Sequence, residues 1–110
     1  MAKWVVATVD DLPPGGRKIV EVGGRSIGIF NLGGQFFALD DTCSHAEASL
    51  SEGDLIEDRC TIECPLHGST FDLRSGEALT LPAVEPVRAH QVQVGQDGLL
   101  RVALSQEDAA

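Results

Sequence analysis

Two short segments, Cys43-Ser44-His45 and Cys64-Pro65-Leu66-His67, stand eighteen residues apart and use two of the three cysteines and two of the three histidines in a chain of 110 residues. Each places a thiol and an imidazole close enough to reach one inorganic centre from one loop. A fold that holds both must bring two loops to the same point and give them a rigid base. Sulfur and nitrogen donors together suit zinc or an iron–sulfur cluster, not magnesium or calcium.

The rest of the chain supplies such a base. Strand signals dominate, at residues 4–9, 17–22, 25–32, 36–39, 89–94 and 99–104. Gly23-Gly24 and Gly33-Gly34 are two-residue hairpin signals, and Gly95-Gln96-Asp97-Gly98 marks a third hairpin. Short strands with turns every eight to twelve residues predict an all-β fold, a small antiparallel sandwich or barrel. Residues 41–86 are less regular and hold every ligand candidate; a strand is expected at residues 58–63, leading into the second pair. Ser44-His45-Ala46-Glu47 matches a helix capping box, but it overlaps the first pair, and no helix is expected there. No repeat or linker divides the chain, so residues 1–110 read as one domain with its cluster-binding region at about 41–86.

Composition narrows the function. Apolar residues at 43% and charged residues at 23% describe a globular chain without an apolar run of membrane-spanning length. The start carries no secretory pattern, and an odd number of cysteines fits a disulfide framework poorly. A reducing cytoplasm is the expected compartment. A net charge of −9 argues against nucleic acid and anionic membrane surfaces. Residues 40–63 carry eight acids and one base, so most of the negative charge lies between the two pairs. That segment is either a solvated loop face or a docking face for basic partners.

Zinc sites usually group two cysteines together and two histidines together, whereas here each pair is mixed. Mixed pairs suit a two-iron centre in which one iron takes both cysteines and the other both histidines, the arrangement of a Rieske [2Fe–2S] centre. At this level Cys43-Ser44-His45-Ala46, Leu50-Ser51-Glu52-Gly53, Cys64-Pro65-Leu66-His67-Gly68-Ser69, Phe71-Asp72 and Ser75-Gly76-Glu77-Ala78 resemble the signature of Rieske ferredoxins that serve bacterial ring-hydroxylating oxygenases of aromatic hydrocarbon catabolism. Leu81-Pro82-Ala83 with Pro86-Val87 resembles the proline-containing loop beside the cluster. The resemblance implies that Cys43 and Cys64 bind one iron and His45 and His67 the other. It implies no catalytic residue.

Two departures matter. Respiratory Rieske proteins tie their loops with a disulfide, and the matching positions here are Ala48 and Leu66. They also place a tyrosine hydroxyl near a cluster sulfur, where this chain has Phe71. Fewer donors and a surplus of acids disfavour adding an electron, so the expected potential lies low in the Rieske range, at roughly −150 mV. Ser69 remains, and its hydroxyl is expected either to donate to a cluster sulfur or to cap the loop.

Other residues read as structural. Cys60 is expected to be a core thiol, His90 a surface or half-buried strand residue, and Trp4, Phe30, Phe36 and Phe37 core. Gly68 is expected to permit a tight turn, while Leu66 and Pro82 either shield the cluster or pack the loops. The resemblance implies a soluble, monomeric one-electron carrier between an NAD(P)H-dependent flavin reductase and a terminal oxygenase. A small Rieske-type subunit of a reductase such as assimilatory nitrite reductase keeps the fold and changes the role. A zinc-bound structural module is the alternative of a different class.

Overall fold

The computed structural model describes residues 3–42, 48–66, 68–81 and 85–104. Strands β1 (Lys3–Thr8), β2 (Arg17–Val22), β3 (Arg25–Leu32), β4 (Gln35–Asp40), β8 (Ala89–Val94) and β9 (Leu99–Ala103) form one antiparallel sheet in the order β1-β9-β8-β4-β3-β2. It curls into a nearly closed, barrel-like layer. Strands β5 (Asp54–Ile56), β6 (Thr61–Glu63) and β7 (Thr70–Asp72) form a separate three-stranded sheet, inserted between β4 and β8.

The expected hairpins are present. Gly23 and Gly24 join β2 to β3, and Gly33 and Gly34 join β3 to β4, all four at positive φ. Paired positive φ values give a turn whose twist matches that of the flanking strands, and glycine adopts them without a side-chain clash.

Strand alternation then sorts the residues of β3 and β4 onto two cores. Ile27, Ile29 and Ala38 face the barrel interior with Val22, Leu100 and Val102. Phe30 and Leu39, on the opposite face, pack against Leu50, Cys60, Ile62, Cys64, Phe71 and Leu73 of the inserted region. Burying such side chains contributes roughly 1.5–3 kcal/mol each. The six-stranded sheet is thus buried on both sides at β3, and its outer face seats the smaller sheet.

Some expectations need correction. Trp4 lies on edge strand β1, which pairs only with β9, and is 43% exposed. Phe30 is fully buried, whereas Phe36 and Phe37 are half-buried, each packed at the margin of one core. His90 is buried, not superficial: its Nε2 lies 2.8 Å from Asp40 Oδ1 across the β4–β8 pairing. Residues 57–59 form a 3₁₀ turn that ends at Cys60 in the left-handed region (φ 56°), so the strand before the second pair begins only at Thr61. Cys60 is a buried thiol as expected.

Candidate metal centre

Cys64 is the one proposed ligand within the described residues; Cys43, His45 and His67 lie outside them, as do the capping-box residues 44–47 and Pro82. Cys64 follows directly on β6 and is 1% exposed. Its N–H donates to Ser69 O at 2.6 Å, and its carbonyl accepts the Gly68 N–H at 3.1 Å. These bonds close the Cys64–Ser69 segment into a loop between β6 and β7. Gly68 has φ +78°, the tight-turn role expected of it. Ser69 is fully buried beneath this loop, whereas Leu66 at its tip is 57% exposed.

The base of the other loop is equally fixed. Thr42 and Ser49 form an antiparallel bridge, and the Leu50 N–H donates to Asp41 O at 2.7 Å. The Asp41 carboxylate is buried and accepts the Ser51 N–H at 2.9 Å and the Ser49 hydroxyl at 2.5 Å. A carboxylate taken from water needs such donors. Asp41 is therefore a structural clasp and no part of an acidic docking face. Its partners Ser49 and Ser51, two residues apart, were the only sequence signal of that role.

Both loops rise from one core. Ala48, at the end of the first, and Cys64, at the start of the second, pack on the cluster that holds Leu50, Ile62 and Phe71. Gly53 approaches the backbone of Glu63, the residue before Cys64, so closely that a Cβ would stand 1.7 Å from the carbonyl oxygen. Alongside, Leu79 N–H donates to Thr70 O at 2.8 Å, and Thr70 N–H to Thr80 Oγ1 at 2.9 Å. That pairing lays residues 78–80 against β7, and Leu81 follows at 76% exposure. Exposed acids Glu52, Asp54, Glu57 and Asp58 lie on and around edge strand β5 of the smaller sheet.

Burial raises the pKa of the Cys60 thiol, only partly opposed by nearby Arg74. That thiol stays protonated and inert at neutral pH. Among the described residues no group of three or more histidine, cysteine or acidic side chains forms a metal cage. A buried thiol at a loop mouth, over an apolar core, is a fitting donor environment for an iron–sulfur cluster.

The topology is that of a small all-β domain, with one buried thiol at the start of a loop that the cysteine-and-histidine motifs mark for an iron–sulfur centre. A family profile described as "Rieske [2Fe-2S] domain" matches residues 2–94, and the chain belongs to that family. It carries a Rieske-type [2Fe–2S] cluster. It is 48% identical over 107 residues to the 3-phenylpropionate/cinnamic acid dioxygenase ferredoxin subunit of Photorhabdus laumondii, covering 97% of this chain and 99% of that one. Among solved structures, the ferredoxin of carbazole 1,9a-dioxygenase from Nocardioides aromaticivorans IC177 superposes with a TM-score of 0.90 at 38% identity, covering 96% of this chain and 100% of that one. A chain from a complex of reduced oxygenase and oxidized ferredoxin in carbazole 1,9a-dioxygenase superposes with a TM-score of 0.85 at 36% identity, covering 96% and 97%.

Proposed function

We propose that Cys43, His45, Cys64 and His67 hold the cluster, the cysteines on one iron and the histidines on the other, and that residues 1–110 act as one ferredoxin domain. When bound, the group supplies one-electron chemistry at a potential set by its histidine ligands and surroundings. The protein carries single electrons from an NAD(P)H-dependent flavin reductase to a terminal oxygenase and catalyses no bond-making itself. The observation that carries this reading is near end-to-end similarity to dioxygenase ferredoxins, at 48% and 38% identity. It favours a carrier over a nitrite reductase subunit, and the family match sets aside the zinc module.

The chain's own residues have three tasks. Leu50, Ile62 and Phe71 keep water from the base of the loops. Asp41 holds the first loop closed, and the Cys64–Ser69 bonds hold the second. Leu66 and Leu81 are exposed apolar residues, and the exposed acids Glu52 and Asp54 lie at the end of the smaller sheet where Asp54 pairs with Glu63, next to Cys64, features suited to brief contact with a partner that offers both apolar and basic groups. We take the protein to be a cytoplasmic monomer that docks transiently; no described helix is long and apolar enough to cross a membrane.

The names of the relatives make an oxygenase acting on phenylpropanoid acids the first partner to try. Reduced protein mixed with such an oxygenase and its substrate should be reoxidised and yield hydroxylated product, at rates that fall with added salt. Protein that stays reduced, or that co-purifies stably as a reductase subunit, would overturn the carrier reading. Rates insensitive to salt would overturn the electrostatic steering.

A further inference from the structure

The 3₁₀ turn at Leu50–Glu52 stands between the two ligand-bearing loops and is tied to each. On one side, Ser51 and the preceding Ser49 donate to Asp41, which closes the first loop. On the other, Gly53 lies against the Glu63 carbonyl, one residue before Cys64, with no room for a Cβ. The turn is three residues long and has no side-chain cap of its own. Besides the Asp41 bonds and the burial of Leu50 against Phe30 and Leu39, a distant residue fastens it to the barrel. Arg17, at the start of β2, sends Nη1 to the carbonyl of Gly53 and, at 3.4 Å, to that of Ser51. Arg17 pairs with Phe30, on the face of the six-stranded sheet that seats the smaller one. Its guanidinium enters neither the His90–Asp40 nor the Arg101–Asp97 ion pair.

We infer that Arg17 is a positioning residue for the cluster: by holding the Ser51 and Gly53 carbonyls it fixes the turn that links Asp41 and Ser49, which flank the Cys43/His45 segment in sequence, to Glu63, next to Cys64. The inference rests on the ligand reading above. A planar guanidinium gives two carbonyls directional, charge-assisted hydrogen bonds, whereas lysine's flexible ammonium serves them less well. With those bonds removed, the contact of Gly53 with the Glu63 carbonyl loosens and the turn no longer holds Asp41 and Cys64 in one arrangement.

The test compares holoproteins of the wild type, R17M, R17K and G53A, with K18M as a charge control on an exposed neighbour. Cluster release to a chelator is followed by visible absorption, the reduced site by EPR, and local opening by hydrogen exchange. R17M should release its cluster about tenfold faster than the wild type and change the reduced EPR line shape, as loss of a charge-assisted bond allows. R17K should recover part of the lifetime, G53A should follow R17M, and K18M should match the wild type. The β8 and β9 amides should keep their protection in R17M while those of residues 50–64 lose it. If R17M does not fold, R17K against K18M decides, with R17K the faster. Wild-type release from R17M, R17K no better than R17M, or an equal loss of protection in β8 and β9 would overturn the inference. A wild-type protein without a Rieske EPR signal would instead overturn the ligand reading, before any variant is compared.

Discussion

The six-stranded sheet and the three-stranded sheet are held by different means. The larger is continuous backbone pairing, with antiparallel neighbours from β1 to β2 and tight glycine turns between its hairpins. The smaller has three-residue strands and depends on what surrounds it: the outer faces of β3 and β4, the Asp41 clasp and the Arg17 tether. Strands so short bury little on their own, so the smaller sheet takes its stability from the larger. The division suits a carrier, since a stiff barrel can anchor two loops whose ends must be placed to fractions of an ångström.

The largest expected effect is chemical. Cys64→Ala should reduce bound iron from two per chain to none and abolish the visible spectrum, while the β8 and β9 amides stay protected. Loss of barrel protection as well would break the distinction between scaffold and site. Next comes Phe71→Ala, which empties the centre of the shared core and should cost about 3–5 kcal/mol in denaturant unfolding. Ile29→Val in the barrel interior should cost about 0.5–1.5 kcal/mol. Amides of β5–β7 should open more than those of β8 and β9 in the first variant, and an equal response would show one cooperative unit.

Asp41→Ala should cost about 2 kcal/mol, because it leaves the buried Ser51 N–H without its acceptor. The loss should appear first as faster exchange at Ser51 and Leu50. The smallest effect is one of pH. The folded Cys60 has a pKa above its ordinary value of 9.0, so the unfolded chain loses that proton first as pH rises. Stability from this group is complete below about pH 9 and is lost as pH climbs toward the folded value. Unfolding midpoints of the wild type should therefore decline more steeply above pH 9 than those of Cys60→Ala. Parallel profiles would show the thiol to be less buried than the fold places it.

The two sheets also differ in how far their sequences declare them. Gly23-Gly24 and Gly33-Gly34 marked hairpins whose strands run as expected, since turn chemistry and β-branched runs are local signals. Strands β5 and β7 were invisible, being three residues each with no alternation to detect. Asp41 and His90 were misplaced for a related reason. Each is buried through partners distant along the chain or brought together only by the fold, and hydropathy assigns such residues to the surface. Trp4 erred the other way, an aromatic residue left exposed because its strand lies at an edge. The kind of cluster was legible in the mixed order of cysteine and histidine, whereas the supports around Cys64 were not. Arg17 stands 26 residues before Cys43, and nothing in a strand beginning with arginine announces a tether.

Mixed ligation of one two-iron centre is the central claim, and pulsed EPR of the reduced protein grown with isotopically labelled histidine tests it directly. Two strongly coupled histidine nitrogens are predicted, with no rhombic Rieske signal left in His45→Ala or His67→Ala. A signal without histidine nitrogen coupling, or a colourless protein that holds zinc, would contradict it.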